Sequence, residues 1–233
     1  MLIKVVTFNI HHATDIDNKD SLDRILSLLR SINPDLICLQ EVDKIRPQTN
    51  KINQALYLAK NLGFRYVYEP VRKYPKGSYG NAILSRYVIL NSKNIILTDL
   101  SDVRCCLKAD IRTHNNIITV FNTHLGLSQP VRYKDLAEII LPELLSHNNP
   151  TILAGDFNAP TNRAEIKMLE SLLTDTFSKN SGLIDHSFPA NNPTARIDYI
   201  FINKQLSPLN YYIVDSDVSD HLPVVSEITL KIK

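Results

Sequence analysis

Six short segments place ionisable or amide side chains directly after apolar runs that are typical of buried strands. They are residues 7–12, 39–43, 122–125, 154–158, 196–201 and 219–223. A carboxylate at the end of a buried strand costs free energy unless a partner or a metal ion holds it. One such residue would be a satisfied polar group of the core, whereas a set of this size indicates a shared site. The residues that define the set are Asn9, Glu41, His124, Asp156, Asn158, Asp198, Asp220 and His221.

Two members of this set, Asp198 and His221, have the chemistry of an acid–base pair. A carboxylate bonded to one imidazole nitrogen fixes the tautomer and stabilises the imidazolium, which leaves the other nitrogen to exchange a proton. Asp220 is adjacent to His221, so one turn can present a carboxylate and an imidazole together. A histidine that only packs in the core is the alternative for His221.

Two other pairs are defined by close spacing. Asp156 and Asn158 point to the same side if the chain stays extended after its strand, but both residue types also favour turns. His11 and His12 point to opposite faces of an extended chain. A second metal site, a position in the substrate cleft and a structural role remain open for these two histidines.

The elements that position these residues include two strand–helix–strand units of equal length. Asn9 and Glu41 lie 32 positions apart, and so do His124 and Asp156. Each unit delivers two polar residues to the C-terminal ends of strands, where open α/β sheets place their sites. We interpret the equal spacing as a structural duplication; the alternative is chance, because such units have common lengths.

Apolar periodicity and turn residues predict the remaining elements. Ser21 is the expected N-cap of the first helix, Gly63 closes the second, and Pro142 kinks or breaks the third. The predicted helices cover residues 21–31, 51–62, 131–147 and 162–172. The predicted strands cover or lie near residues 2–8, 35–40, 64–69, 80–85, 93–98, 104–112, 116–122, 151–154, 197–203, 209–214 and 223–231.

In this order, the segments resemble the endonuclease/exonuclease/phosphatase superfamily of DNase I-like enzymes, and most closely its small bacterial metal-dependent hydrolases. The resemblance runs from Phe8-Asn9 to Ser219-Asp220-His221 and includes residues 80–85. Each motif alone is of low or moderate specificity, but the ordered set is specific. It implies an α/β (α+β) fold, a four-layer α/β/β/α sandwich of two packed mixed β-sheets flanked by helices. It also implies one domain over residues 1–233, with one metal-dependent site at the top of the sandwich.

The resemblance further implies a phosphoesterase that uses Mg²⁺ or Mn²⁺. Phosphate ester hydrolysis needs a hard cation to offset charge on the phosphoryl oxygens, and oxygen ligands suit these ions. Glu41 is the expected direct ligand, with Asn9 and Asp220 nearby and binding directly or through water. A salt bridge at the end of the strand is the alternative for Glu41.

The catalytic roles are likewise implied by the resemblance. Asp156 positions the nucleophile, Asn158 donates to a phosphate oxygen, and His221 activates water or contacts the phosphate. His124 contacts the phosphate or protonates the leaving oxygen. DNase I-like enzymes pair this histidine with a carboxylate, but the corresponding residue here is Asn81, which favours a neutral hydrogen-bond donor. Asn81 is either a phosphate contact or a turn residue.

Basic residues and tyrosines cluster in the segments that flank this set, at Lys44, Arg46, Arg72, Lys73, Tyr74, Lys76 and Tyr79. We expect Arg46, Arg72 and Tyr79 to bind substrate, since such groups hold a nucleic-acid backbone and stack on bases. A solvated loop is the alternative.

The leading functional hypothesis is a nuclease that hydrolyses phosphodiester bonds in DNA. The second is a phosphatase or phosphodiesterase acting on a small-molecule or lipid-headgroup phosphate ester. The third is a binding protein with a decayed site, which is disfavoured because every key position is filled. Inositol 5-phosphatases are disfavoured because they carry a Trp-Cys-Asp variant where this chain has Arg196-Ile197-Asp198, and the sequence has no Trp.

Composition limits the class of protein. The 233 residues include 26 Lys and Arg and 24 Asp and Glu, a net charge of +2, which excludes a polycation and an acidic disordered tail. Three cysteines without metal-site spacing indicate buried thiols and a reducing compartment. We find neither a secretory leader nor an apolar run of the ~20 residues that a membrane helix needs. We therefore expect a cytoplasmic monomer that does not insert into membranes.

Overall fold

The computed structural model describes residues 1–98, 103–177 and 186–231. Its strands are β1 (Leu2–Asn9), β2 (Leu36–Lys44), β3 (Arg65–Lys73), β4 (Ser78–Ser85), β5 (Val88–Ile96), β6 (Cys105–Arg112), β7 (Ile117–His124), β8 (Thr151–Asp156), β9 (Thr174–Asp175), β10 (Asp198–Ile202), β11 (Leu206–Ile213) and β12 (Val224–Leu230). Its α-helices are α1 (Leu22–Ile32), α2 (Gln54–Leu62), α3 (Gln129–Lys134), α4 (Leu141–Leu145) and α5 (Ala164–Leu172). Short 3₁₀ turns cover His11–Ala13 and Pro47–Thr49, and a π-helical segment covers Asp135–Ile140.

The described strands form two six-stranded sheets with the same pattern of pairing. The first sheet has the order β11–β12–β1–β2–β4–β3, and the second has the order β5–β6–β7–β8–β10–β9. In each sheet the two central strands, β1 with β2 and β7 with β8, are parallel, and the other pairs are antiparallel. The equal spacing in the sequence thus corresponds to one parallel crossover in each sheet.

The two sheets pack face to face, and helices cover their outer faces. Residues of β1 alternate between the resulting cores, as expected for a strand buried on both sides. Ile3 and Val5 pack between the sheets with Val120 and Ile152 of the second sheet. The outer face of the first sheet packs on α1 and α2, and that of the second packs on the π-helical segment, α4 and α5. This confirms the predicted four-layer sandwich.

Buried amides cross the apolar interface between the sheets. The Nε2 of Gln40 donates to Oδ1 of Asn122 at 2.7 Å. The Nδ2 of Asn122 donates to the carbonyl oxygens of Leu39 at 2.9 Å and Ala82 at 2.8 Å, both on the first sheet. These bonds link the middle of β7 to β2 and β4 directly below the ends of the parallel strands.

The helix ends agree with the prediction in position and differ in detail. Gly63 ends α2 in the left-handed conformation at φ +73°, as predicted. Ser21 occupies the N-cap position of α1, but its hydroxyl donates to the Val218 carbonyl, so the predicted side-chain cap is wrong. The Oδ1 of Asp20 instead accepts a hydrogen bond from the backbone amide of Leu22, the first residue of α1, at 3.1 Å. A break is expected at Pro142, and the helix is irregular there: the π-helical segment ends just before this proline. The change in hydrogen bonding accommodates proline, which has no backbone N–H.

All three cysteines are free and buried, which confirms the prediction of buried thiols. Burial raises the pKa of Cys38 and of Cys105 to about 12, so these thiols stay protonated.

Candidate active site

Both parallel strand pairs end at the same edge of the sandwich, and their terminal side chains meet there. Asn9 ends β1, and its Nδ2 donates to Oδ2 of Asp156 at the end of β8, at 3.1 Å. The same nitrogen lies 3.3 Å from Oε1 of Glu41 on β2. His124 is the register partner of Asp156 in the second sheet, with Nε2 3.5 Å from Oδ2. One residue from each central strand therefore takes part.

The predicted pair of Asp198 and His221 is present at hydrogen-bond distance. The Nδ1 of His221 lies 2.9 Å from Oδ2 of Asp198, and its Nε2 lies 3.7 Å from Oδ2 of Asp156. The Ser187 hydroxyl donates to the same Asp198 oxygen at 2.6 Å. The hydroxyl of Ser219 donates to the Asn9 carbonyl at 2.8 Å and thereby fixes the loop that carries His221.

The two buried partners of His221 control its charge. Burial disfavours the imidazolium, but the negative charges of Asp198 and Asp156 outweigh it and raise the pKa of His221 to about 10. Burial also raises the pKa of Asp156, an effect that the His221 imidazolium opposes. A proton is therefore held between these groups inside the protein.

His124 lies in the opposite electrostatic environment. Burial lowers its pKa well below the usual value, and the positive charge of Arg104 lowers it further. The Nη1 of Arg104 lies 2.6 Å from Nε2 of His124 and 2.9 Å from its Nδ1. The Tyr79 hydroxyl lies 3.5 Å from the same Nδ1. This environment favours the neutral imidazole that the sequence analysis expected.

The chain does not stay extended between Asp156 and Asn158. Asn158 adopts φ +49°, and its amide nitrogen donates to Oδ1 of Asp156 at 2.9 Å, which is an Asx turn. Its side-chain Nδ2 donates to the Leu125 carbonyl at 2.8 Å. The turn alternative is therefore the correct geometry, and a phosphate contact of Asn158 through Nδ2 would have to replace this bond.

His11 and His12 lie beside the carboxylates of the first sheet. They belong to a 3₁₀ turn with positive φ angles, so the expectation of opposite faces in an extended chain does not hold. His12 places Nε2 3.3 Å from Oε2 of Glu41 and Nδ1 3.0 Å from Oδ1 of Asp43. His11 places Nδ1 3.8 Å from Oδ1 of Asp220.

Two neighbouring groups have the donor chemistry for a hard divalent cation. Glu41, the amide oxygen of Asn9 and Asp220 offer oxygen ligands, with the Glu41 and Asp220 side chains 20% and 37% exposed. Asp156, Asp198 and His221 are buried, with ligand atoms within 4.8 Å of one another. In the buried group His221 already bonds Asp198 through Nδ1. The atoms left to bind a metal are its Nε2 and the carboxylate oxygens, including Oδ1 of Asp198, which has no hydrogen-bond partner.

The predicted substrate residues differ in how they face the site. The guanidinium of Arg46 bonds the buried Asp43 at 2.9 Å and lies 4.4 Å from the Tyr74 ring. Arg72 is exposed on β3, opposite Tyr79 on β4. The Tyr79 ring centroid lies 5.1 Å from that of His12.

Asn81 is buried within β4, so the turn alternative for it is wrong. Its Nδ2 donates to the Cys105 carbonyl at 3.1 Å. This amide thus links the two sheets.

Sequence reasoning gave no specific role to three side chains at this edge: Arg104, Asp43 and Ser187. Arg104 immediately precedes the buried strand β6, and Asp43 follows Glu41 by two residues. A charge next to a buried apolar run was the available signal for both. Ser187 lies outside every predicted element, and its contact with Asp198 has no local signal.

Among the described residues, no helix has the length and apolar character required to cross a membrane.

Comparison with known proteins agrees with the geometry. The family model described as "Endonuclease/Exonuclease/phosphatase family" matches residues 6–221. The uncharacterized protein YbhP of Escherichia coli K12 is 29% identical over 97% of this chain and 96% of its own length. An endonuclease/exonuclease/phosphatase from Bacteroides vulgatus has a TM-score of 0.83 at 19% identity, covering 99% of this chain and 100% of that one. A mannosyl-6-phosphatase of Bacteroides thetaiotaomicron has a TM-score of 0.75 at 19% identity, covering 98% and 100%.

The two solved structures share the fold with this chain. The family model covers the first five polar segments completely and the sixth, residues 219–223, up to His221. The chain therefore belongs to the endonuclease/exonuclease/phosphatase family of phosphoesterase-type hydrolases.

Proposed function

We propose that this protein is a phosphoesterase that depends on a divalent cation, Mg²⁺ or Mn²⁺. The observation that carries the proposal is the buried His221–Asp198 pair, with Asp156 3.7 Å from the free imidazole nitrogen and Asn9 linking Asp156 to Glu41. This arrangement places a proton-holding group beside oxygen ligands suited to a hard cation. Glu41, Asn9 and Asp220 would hold the ion, which when bound offsets negative charge on the phosphoryl oxygens.

The side chains divide the remaining work according to their charge. Asp198 keeps His221 protonated and oriented, so Nε2–H donates to a phosphoryl oxygen or returns a proton taken from water. Asp156, whose pKa is raised by burial, orients the attacking water and accepts its proton. His124 stays neutral and donates one hydrogen bond, while the adjacent Arg104 supplies positive charge for the phosphate.

The first substrate class we propose is the phosphodiester backbone of DNA, which makes the protein a nuclease. The exposed cations Arg72 and Lys73 on β3 support this choice, because nucleic-acid backbones are held by such groups. The second candidate is a small-molecule or lipid-headgroup phosphate ester. An open pocket of about 460 Å³ between the end of β2 and the β3–β4 hairpin supports it, since that volume suits a small ligand.

A substrate panel tests the proposal. Plasmid DNA, RNA, nucleotides, sugar phosphates, phosphorylated headgroups and bis(p-nitrophenyl) phosphate are incubated with Mg²⁺, Mn²⁺ or a chelator. We expect hydrolysis that requires metal and that Glu41→Gln strongly reduces at the metal concentration saturating the wild type. Glu138→Gln, an exposed glutamate of the π-helical segment, is the matched control. Intact DNA beside a cleaved small ester would transfer the assignment to the second candidate. Absence of hydrolysis with every ester would support a decayed binding protein instead.

A further inference from the structure

His12 contacts two carboxylates at the edge of the candidate active site. Its Nδ1 lies 3.0 Å from Oδ1 of the buried Asp43, and its Nε2 lies 3.3 Å from Oε2 of Glu41. His12 and Glu41 are both partly exposed, so solvent reaches both side chains. The roles proposed above use Glu41 but neither His12 nor Asp43.

The contact with Asp43 determines which imidazole nitrogen of His12 carries the proton. The Asp43 carboxylate also accepts hydrogen bonds from Nη1 of Arg46 at 2.9 Å and from Oγ1 of Thr49 at 3.1 Å. It therefore acts as an acceptor, and Nδ1 of His12 donates to it. Nη1 of Arg46 lies farther from Nδ1, at 3.4 Å. A neutral imidazole with its proton on Nδ1 has its lone pair on Nε2, which is the usual state of a metal-binding histidine whose other nitrogen bonds a carboxylate.

The lone pair on Nε2 lies beside Glu41. The described residues make hydrogen-bond contacts with this imidazole at Nδ1 only. The 3.3 Å between Nε2 and Oε2 is longer than the ~2.7–2.9 Å of a charge-assisted hydrogen bond. Two cis ligands of one cation, each bonded at about 2.1 Å, lie about 3.0–3.4 Å apart. The spacing between these two atoms therefore fits a shared ion.

One buried amide fixes the backbones of His12 and Asp43 to each other. The Nε2 of Gln54 donates to the His12 carbonyl at 2.6 Å, and its Oε1 accepts from the Asp43 amide at 2.7 Å. His12 has φ +59° and Glu41 has φ +55°, angles that residues other than glycine adopt only where surrounding contacts hold them. The fold thus determines the position of Nε2 opposite Glu41.

The imidazole nitrogen and the carboxylate oxygen form a mixed ligand pair. Mg²⁺ prefers oxygen ligands and keeps several waters, whereas imidazole suits first-row transition ions. We propose that Nε2 of His12 is a direct ligand of the active-site cation, next to Oε2 of Glu41. The site then favours Mn²⁺ or a later first-row divalent ion over Mg²⁺. The inference rests on the proposed function for the presence of a cation at Glu41.

Metal binding tests the inference without any substrate. Calorimetry measures the affinities of Mn²⁺ and Mg²⁺ for the wild type and for His12→Gln. We expect the Mn²⁺ affinity to fall roughly tenfold or more, as for loss of a metal ligand, and the Mg²⁺ affinity to change much less. His114→Gln, which replaces an exposed histidine elsewhere, should leave both affinities unchanged. Equal losses for the two ions would mean that His12 only positions Glu41, and would overturn the inference.

Electron paramagnetic resonance of bound Mn²⁺ identifies the ligand directly. A coordinated imidazole nitrogen modulates the electron spin echo of the ion. We expect this modulation in the wild type and in His221→Gln, and its loss in His12→Gln. Modulation that persists in His12→Gln and disappears in His221→Gln would place the ion at the buried group and overturn the inference. Failure of Mn²⁺ to bind the wild type would also overturn it.

The two proposals fail in different ways. A nitrogen signal that depends on His12, without hydrolysis of any ester in the substrate panel, would reject the proposed function and keep His12 as a metal ligand. Metal-dependent hydrolysis without such a signal would keep the proposed function and reject His12 as a ligand.

Discussion

The two strand–helix–strand units have the same length and the same pairing pattern, yet their terminal carboxylates differ in solvation. The Glu41 side chain is 20% exposed and faces His12, whereas the Asp156 side chain is 2% exposed and faces Asn9 and His221. A partly hydrated carboxylate carries its charge at low cost and can bind a cation, while a buried one is driven toward its protonated form. One backbone scaffold used twice thus gives a candidate cation ligand and a proton-handling group.

The histidines show the same contrast. His12, in the first unit, lies between two carboxylates, Glu41 and Asp43. His124, in the second, lies against the guanidinium of Arg104. The second arrangement, together with burial, lowers the pKa of His124 well below its usual value. Charged neighbours, rather than the strands themselves, separate the two environments.

The strongest test removes the imidazole that joins the units. In His221→Ala we expect kcat to fall by on the order of 10²–10⁴, the usual contribution of a positioned proton donor or acceptor. Initial rates on the substrate found in the panel give the value. His114→Ala, an exposed histidine, is the control and should retain full activity. A loss below tenfold would remove His221 from the chemistry.

The second test asks whether the two carboxylates have separate roles. In Glu41→Gln we expect a rise in the metal concentration needed for half-maximal activity. Loss of a group that only supports a metal ligand costs roughly 10–100-fold in affinity, and loss of the ligand itself should cost at least as much. Asp156→Asn should lower activity without any rescue by added metal. Metal titrations of both variants measure this difference. Equal rescue of both variants would mean that one site uses both carboxylates as ligands.

The third test concerns the backbone of the second unit. Gly155 adopts φ +147°, and a Cβ on it would lie 1.9 Å from the Thr123 carbonyl oxygen of the paired strand. Gly155→Ala should lower the free energy of unfolding by about 2–3 kcal/mol, since β7 and β8 must separate. Denaturant unfolding measures it. Gly63→Ala, where the added Cβ meets open space, should cost about 1 kcal/mol from its left-handed φ alone, and a similar loss in both would contradict the steric argument.

The smallest expected effect is electrostatic. In Arg104→Met the pKa of His124 should rise, because a neighbouring positive charge is removed, while burial keeps it below the usual 6.5. A folded-state pKa below the unfolded one means that the free energy of unfolding falls as pH drops below about 6.5, and the variant should lose less of it. NMR titration of His124 gives the pKa, with Arg112→Met as the exposed control. An unshifted pKa would show that Arg104 does not act on this imidazole.

The sequence predicted which polar side chains meet at the candidate site, because strand ends are local features. Asn9 and Asp156 each follow an apolar run. They meet because each ends a central parallel strand and the two sheets pack with these strand ends at the same edge. The turn at His12 and the Asx turn at Asn158 depend on single backbone angles that periodicity does not encode. Arg46 faces inward because Asp43 is buried nearby, a contact that only the folded chain creates.

The amide contact between Gln40 and Asn122 has a consequence for how this fold tolerates change. Apolar faces attract each other without direction, so two sheets packed by side-chain volume alone can settle in several offsets. A 2.7 Å amide bond in that interface is lost in other offsets, which would leave the Gln40 Nε2 and Asn122 Oδ1 groups without this partner. The apolar residues around it can then change in size or identity while the two ends of the site stay opposite each other. Buried amides such as Gln40 and Asn122 thus contribute to the alignment of the reacting groups, and the surrounding core remains open to substitution.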